Sequence, residues 1–114
     1  MASPVEVVQA LVDAFNARDA AALTRCFHAD ATIVGPDGNV MTQGGEAIHG
    51  MYGQLFAQSP DLHVTIVSRM GVGNWVVDEE EASGIVFDGF PSELHDVSIY
   101  QVRDGLIERL QILT

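Results

Sequence analysis

Acidic side chains interrupt the hydrophobic pattern of a segment that is predicted to be a β-strand, residues 75–85. One alternating set on this segment contains Glu79 and Glu81, and the opposite set contains Asp78 and Glu80. Successive side chains of a strand point to opposite faces of the sheet. Whichever set faces inward, at least one carboxylate therefore points towards the protein interior or its rim.

The next predicted strand, residues 93–103, repeats the pattern. Asp96 shares one face with Ser98 and Tyr100, while His95 lies on the other face. His95 and Asp96 therefore do not form a catalytic dyad on a regular strand, because adjacent side chains diverge. Because Ser98 and Tyr100 share its face, Asp96 is the stronger candidate among these acids.

Carboxylates in such positions are candidate acids and bases. A carboxylate that faces an apolar cavity loses hydration, which raises its pKa and lets it exchange protons near neutral pH. This is the functional interpretation of Asp96, Glu79 and Glu81. In the alternative interpretation the strands twist out past the rest of the protein, and the same acids face water.

Other kinds of site have little support in the sequence. The glycine-rich residues 71–73 lack the strand–loop–helix context of a phosphate cradle, and no serine lies in a nucleophile elbow. The histidines have no metal-ligand spacing, such as a pair four residues apart on one helix. We therefore predict no metal site and no cofactor. The histidines are His28, His49, His63 and His95.

The charge balance limits the class of partner. The chain has a formal net charge of −11, with five basic residues, all of them arginine. We expect neither nucleic acid nor an anionic membrane as partner, because both need clustered positive charge. The acidity favours a neutral or cationic ligand. No apolar run approaches the ~20 residues of a membrane span, and the N-terminus does not resemble a secretory signal, so we expect a cytoplasmic protein.

Three helices are expected ahead of the long strands. Ser3 is a suitable N-cap for a helix over residues 4–16, where apolar residues recur at helical spacing. Asp19 is expected to cap a second helix over residues 20–27. A third helix is predicted over residues 46–58, and it ends before a proline.

The remaining segments read as strands joined by short turns. Turns at residues 71–74 and 103–105 join neighbouring strands, which indicates an antiparallel meander. With helices first and the sheet second, we predict one α+β domain over residues 1–114. The predicted strands cover residues 31–34, 40–42, 62–70, 75–85, 93–103 and 106–113.

The whole chain resembles the nuclear transport factor 2-like superfamily, and in particular its SnoaL-like and ketosteroid-isomerase-like members. This resemblance implies a cone in which a curved antiparallel sheet is wrapped around N-terminal helices, with an apolar pocket at the open end. It also implies a homodimer through the outer sheet face, which suits Val97 and Ile99. The residues that carry the likeness are 12–19, 26–32, 44–48 and 102–107.

The resemblance does not extend to the catalytic residues of ketosteroid isomerases. The general-base aspartate of those enzymes falls at Gly35, the oxyanion tyrosine at Leu11 and the protonated aspartic acid near Ser98. Only the supporting tyrosine has a match, at Tyr52. Ordinary ketosteroid isomerase chemistry is therefore not expected.

The same comparison implies a pocket with a different set of polar groups. Tyr52 is the predicted hydrogen-bond donor, and Asp96 or Glu81 is the predicted base. A carboxylate and a phenol in an apolar cone are suited to moving a proton on a carbonyl compound. Asp96 is expected near the mouth, and the implied lining is Phe15, Ile33, Met51, Tyr52, Val77, Glu79, Glu81, Ser98, Tyr100 and Leu110.

Two functions follow from this reading. The first is a cofactor-independent isomerase, cyclase or hydrolase that acts on an apolar carbonyl or polyketide-like metabolite. The second is a non-catalytic module that binds a small ligand or forms a dimer. Carboxylates with shifted pKa values in an enclosed cavity favour the first function. A cone that is filled by side chains, with all acids in solvent, favours the second.

Overall fold

The computed structural model describes residues 2–114, in which three helices precede most of a six-stranded sheet. The predicted α+β class is confirmed. The elements, in chain order, are α1 (Pro4–Asn16), α2 (Ala20–Thr24), β1 (Phe27–Val34), β2 (Val40–Gln43), α3 (Gly45–Gln58), β3 (His63–Val72), β4 (Trp75–Ser83), β5 (Leu94–Arg103) and β6 (Leu106–Leu113).

Local signals account for the start of α1. The Ser3 hydroxyl accepts a hydrogen bond from the Glu6 backbone N–H at 3.2 Å, and the Glu6 carboxylate accepts one from the Ser3 N–H at 2.9 Å. This capping box satisfies two N–H groups that the helix itself leaves unpaired. The helix then buries Val8, Leu11 and Val12 along one side.

The second helix is shorter than predicted. It ends at Thr24, and the chain enters β1 at Phe27, inside the segment expected to be helical. Phe27 pairs with Ile107 of β6, and the Cys26 carbonyl accepts a hydrogen bond from the Ile107 N–H at 2.8 Å. Pairing with a distant strand therefore overrides the local helical pattern. The Cys26 side chain is partly buried.

The sheet has the strand order β2-β1-β6-β5-β4-β3. Strands β3 to β6 form the predicted antiparallel meander, whereas β1 lies parallel to β6. The helices cover one face of the curved sheet, and a single cluster of buried apolar side chains lies between them. No helix among residues 2–114 is long and apolar enough to cross a membrane.

A β-bulge in β3 decides which side chains of β4 face the helices. Val72 pairs with Trp75 across the turn, and regular pairing continues to Ser68 and Glu79. Ile66, however, pairs with Glu80, so Val67 is an extra residue in β3. Because side chains alternate along a strand, one extra residue in β3 changes which set of β4 side chains lies on the same face as the residues of β3 beyond the bulge.

With this bulge, the face of β4 that points towards the helices is not the predicted one, which contains Val77, Glu79 and Glu81. The inward set is Val76, Asp78, Glu80 and Ala82, all paired with inward residues of β3 or β5. Beyond the bulge Arg69 also turns inward, where its guanidinium forms an ion pair with Asp78.

Candidate functional site

A cavity of about 160 Å³ lies between the helices and the inner face of the sheet. Its walls are almost entirely apolar, and a small group of polar side chains lies on β4, β5 and α3. The lining residues are Leu11, Val12, Phe15, Met41, Met51, Tyr52, Leu55, Leu62, Val64, Glu80, Ala82, Ile85, Phe87, Phe90, Leu94, Asp96, Ser98, Tyr100, Leu110 and Ile112.

The polar group centres on two carboxyl groups, Glu80 and Asp96. These residues are direct cross-strand partners in the β4–β5 ladder, so their side chains project side by side into the cavity. The Ser98 hydroxyl lies 2.9 Å from Glu80 Oε1 and 3.5 Å from Asp96 Oδ2. Asp96 Oδ1 is buried and has no hydrogen-bond partner.

This environment shifts the proton affinity of both carboxyl groups. Burial, the neighbouring Asp96 charge and a hydrogen bond to Asp96 raise the pKa of Glu80 from 4.5 to about 8. Burial also raises the pKa of Asp96, although hydrogen bonds from Glu80 and Ser98 oppose this. The two groups titrate together, so near neutral pH the pair as a whole is expected to hold one proton.

Two tyrosines complete the polar end of the cavity. Tyr52 on α3 and Tyr100 on β5 are both buried. Burial, together with the charges of Glu80 and Asp96, raises the pKa of Tyr52, and burial with Glu80 does the same for Tyr100. Both hydroxyls therefore remain protonated and are able to donate hydrogen bonds. Phe15 packs edge-on against Tyr52, with 6.3 Å between the ring centroids.

An ion pair anchors β4 beside the carboxyl pair. Arg69 donates two hydrogen bonds to Asp78, from Nε at 2.6 Å and from Nη2 at 2.9 Å. Its Nη1 donates a third bond to the Gln9 side chain of α1 at 2.7 Å. Asp78 is completely buried, so this pairing compensates a charge that would otherwise be costly.

The mouth of the cavity is formed by the loop between β4 and β5. Phe87 and Phe90 of this loop pack against each other, with centroids 5.8 Å apart. The buried Ser59 hydroxyl holds the loop base by accepting a hydrogen bond from the Val86 N–H at 2.8 Å and donating one to its carbonyl at 3.1 Å. Gly84 packs against the Asp61 backbone with no room for a side chain.

Most of the predicted site residues lie at the cavity, although their functional roles stay predictions. The cavity brings together the predicted donor Tyr52 and the predicted base Asp96. The other predicted residues that line it are Phe15, Met51, Ser98, Tyr100 and Leu110.

Four predicted residues do not line the cavity. Ile33 is fully buried in the core. Val77, Glu79 and Glu81 belong to the outward set of β4, because the bulge at Val67 turns the other set inward. Glu79 accepts a hydrogen bond from Ser68 at 3.0 Å and lies 2.8 Å from His95, both on the outer face.

Glu80 is the residue that the sequence interpretation missed. It belongs to the opposite set of β4, and only the strand register brings it opposite Asp96. The sequence signal is the unbroken acidic run of residues 78–81, which puts an acid on the inner face of β4 whichever set turns inward. The identity of its partner depends on the pairing of two strands separated by a ten-residue loop, residues 84–93.

Two of the positions that the resemblance assigns to isomerase catalytic groups, Leu11 and Ser98, line the cavity. Within residues 2–114, no group of three or more His, Cys, Asp or Glu side chains is arranged to hold a metal ion.

Comparison with known proteins gives one family match and many structural neighbours. The family model described as a SnoaL-like domain matches residues 8–110. The chain is similar to an uncharacterized cystatin-fold protein from Novosphingobium aromaticivorans, with a TM-score of 0.90, 24% identity and 100% coverage of both chains. No curated protein matches the sequence.

Two further structures extend this comparison. A hypothetical protein with a ketosteroid isomerase-like fold from Catenulispora acidiphila, crystallised with trimethylamine, has 27% identity and a TM-score of 0.77 over 99% of this chain and 87% of that one. A putative SnoaL-like polyketide cyclase from Jannaschia sp. CCS1 has 19% identity and a TM-score of 0.80 over 96% and 83% of the two chains. These neighbours support the same curved-sheet fold.

Proposed function

Because this chain belongs to the SnoaL-like domain family, a family of small-molecule-binding proteins, we propose that it is a cytoplasmic, cofactor-independent acid–base enzyme. The proposed reaction is an isomerisation, cyclisation or hydrolysis of a small, largely apolar carbonyl compound. The fold is shared with proteins of several functions, so the argument depends on the site.

The observation that carries this proposal is the Glu80–Asp96 pair in an apolar cavity. The two groups are cross-strand partners and share the Ser98 hydroxyl. A protonated acid beside an ionised carboxylate supplies both partners of a proton transfer at one pH. The apolar walls exclude water, which strengthens each electrostatic interaction with a bound compound.

In the proposed chemistry Asp96 is the base. Its carboxylate takes a proton from the carbon next to a carbonyl group, the C–H electron pair moves into the C–C–O system, and negative charge develops on the carbonyl oxygen. Glu80 or Tyr52 donates a hydrogen bond to that oxygen. Asp96 then returns its proton to another carbon of the conjugated enolate, which completes an isomerisation. In a cyclisation, the enolate carbon instead attacks a second carbonyl carbon of the same molecule, the C=O π pair moves to that oxygen, and the alkoxide takes the proton from Asp96. The corrected catalytic set is therefore Tyr52, Glu80 and Asp96.

The test follows hydrogen–deuterium exchange, which does not require the natural substrate. Cyclohexanone, acetophenone and α-tetralone are incubated with the protein in D₂O, and loss of the α-proton signal is followed by NMR. We expect exchange above the buffer rate for at least one ketone. Asp96→Asn and Glu80→Gln should lower the excess rate by about 100-fold or more, the usual range for a lost acid or base.

Glu81→Gln is the matched control for this test. It removes the same charge from the same strand, but from a side chain on the outer face, so its exchange rate should match that of wild type. If the ketones bind and none exchanges faster than in buffer, the acid–base proposal is wrong and the protein is a non-catalytic ligand-binding module.

We also propose that the protein forms a homodimer through the outer sheet face. Val97 and Ile99 lie there half-buried, and Met70, Val72 and Trp75 extend the same face with exposed apolar surface. Such a surface is typical of a subunit contact.

The test is light scattering after size-exclusion chromatography. Wild type should have twice the chain mass, and Ile99→Glu should have the monomer mass. Val86→Glu, the control at an exposed residue of the loop between β4 and β5, should stay a dimer. A monomeric wild type would contradict this proposal.

A further inference from the structure

We propose that the cavity is also a binding site for a small hydrophobic ammonium ion, with the Glu80–Asp96 pair as its counter-charge and aromatic rings as its walls. This inference concerns the ligand and does not depend on catalysis. It rests on three features of the cavity: charge, an unpartnered acceptor, and the nature of the lining.

Within residues 2–114, no basic side chain forms an ion pair with Glu80 or Asp96. None of the lining residues of the cavity is basic. The nearest arginine, Arg69, is committed to Asp78 and Gln9, and His95 lies on the outer face against Glu79. A buried carboxylate without a counter-charge is unfavourable by several kcal/mol, and a ligand with one positive charge removes that penalty.

Asp96 supplies the second feature. It is only 5% exposed, and its Oδ1 atom has no hydrogen-bond partner. The Ser98 hydroxyl is shared between Glu80 and the other oxygen of Asp96, Oδ2, which it approaches only to 3.5 Å. A buried acceptor in this state is costly unless a donor or a cation approaches it.

The walls supply the third feature, and they favour an organic cation over a metal ion. Five aromatic side chains line the cavity, and ring faces attract cations within about 6 Å. A metal ion such as Mg²⁺ takes six oxygen ligands, whereas here two carboxyl groups face apolar carbon. The aromatic residues are Phe15, Tyr52, Phe87, Phe90 and Tyr100.

The cavity volume limits the size of the buried part of the ligand. A volume of about 160 Å³ is close to that of a ~150 Å³ cavity known to hold benzene. It therefore accommodates one ring or one trimethylammonium group, and the rest of a longer ligand would extend through the mouth. The net charge of −11 further favours the approach of cations.

Binding of a cation is expected to release a proton from the pair. The charged or titratable groups around Glu80 are Asp78 with Arg69 at its side, Asp96 across the ladder, and the Tyr52 and Tyr100 hydroxyls. A bound cation favours the ionised form of Glu80. Affinity for a permanent cation should therefore rise with pH up to the Glu80 pKa of about 8 and then level off.

The experiment compares two molecules of the same shape. Phenyltrimethylammonium and tert-butylbenzene differ in one central atom and in charge, and neither titrates. Dissociation constants are measured by NMR titration of the intact protein between about pH 6 and about pH 9. We expect the cation to bind at least about tenfold more tightly at the upper end, with up to a tenfold loss for each pH unit below the Glu80 pKa.

Variants locate the effect within the protein. Asp96→Asn and Glu80→Gln should each weaken cation binding by at least about tenfold while leaving tert-butylbenzene unchanged. Glu81→Gln, which makes the same change in net charge on the outer face, should leave both constants within about twofold, because exposed charges at that distance are screened.

Three results would overturn this inference: equal affinity for the two molecules, a cation affinity that does not depend on pH, or unchanged binding in the Asp96→Asn variant. The wild-type pH series stands by itself if a variant fails to fold. Deuterium exchange tests the proposed catalysis separately, so a cation site without exchange, or exchange without a cation site, remains distinguishable.

Discussion

Replacing Glu80 with an uncharged residue of the same shape tests the physical basis of the site without any ligand. In Glu80→Gln the side-chain amide is able to donate a hydrogen bond to Asp96 and to accept one from Ser98, as the protonated acid does. The variant therefore imitates the protonated pair at every pH. It should be more stable than wild type at high pH and equally stable at low pH.

The raised pKa of Glu80 decides whether the wild-type protein gains or loses stability as pH rises. Below the unfolded value of 4.5 Glu80 is protonated in both states, and its contribution to stability is complete. Between pH 4.5 and about pH 8, Glu80 is ionised in the unfolded chain but stays protonated in the folded protein. Wild-type stability therefore falls as pH rises through this interval. Above about 8 the loss stays constant.

The magnitude follows from the same two values. At 1.36 kcal/mol for each pH unit, the interval from 4.5 to about 8 corresponds to about 5 kcal/mol. Glu80 is only partly buried, and the remaining solvent screening reduces this figure, so we expect Glu80→Gln to stabilise the protein by about 2–4 kcal/mol near pH 9 and by less than about 0.5 kcal/mol near pH 4.

Urea unfolding followed by circular dichroism measures these free energies. Glu81→Gln is the control, because it removes the same negative charge from the exposed face of β4. It should change the free energy of unfolding by less than about 0.5 kcal/mol at both pH values. If Glu80→Gln and Glu81→Gln show the same pH dependence, Glu80 is hydrated in the folded protein and the reasoning about the pair is wrong.

Three further predictions concern the groups that support the site. Arg69→Met should lower the free energy of unfolding by about 3–5 kcal/mol, because Asp78 is left buried without a partner. The double variant Arg69→Met, Asp78→Leu should recover most of this loss. A small effect of Arg69→Met in urea unfolding would contradict the buried pair. Gly84→Ala should cost at least about 2 kcal/mol more than Gly89→Ala, since both glycines have positive φ but only at Gly84 would a Cβ collide with backbone, at the Asp61 carbonyl oxygen; equal thermal stability of the two variants would refute this. Tyr52→Phe should reduce ketone exchange by about tenfold or more and change stability by less than about 1 kcal/mol, because it removes only the hydroxyl and keeps the ring packed on Phe15; unchanged exchange would remove Tyr52 from the catalytic set.

The parts of the structure that could be predicted from the sequence depend on neighbouring residues. Ser3 and Glu6 are three residues apart, and they do form the cap of α1. The turn after Val72 brings that residue opposite Trp75, as glycine and asparagine at a two-residue turn indicate. Strand alternation alone puts Asp96, Ser98 and Tyr100 on one face of β5, and the structure buries that face.

The prediction failed where one strand meets another. Regular pairing from the turn at residues 73–74 would bring Glu81 opposite the inward-facing Ile66, whereas the bulge at Val67 brings Glu80 there. Val67 has no local feature that indicates a bulge, because an apolar residue also suits a regular strand. The early end of α2 has the same origin, since pairing of Phe27 with Ile107 competes with the local helical pattern.

The sequence by itself therefore determined the helix starts, the fold class, the charge and the shared face of Asp96, Ser98 and Tyr100 on β5. Only the tertiary structure decided that the acid beside Asp96 is Glu80, and that Glu79 and Glu81 face outward. The physical reason is that alternation along a strand is a local property. The register between strands, in contrast, depends on a bulge and on packing between residues that are far apart in the chain.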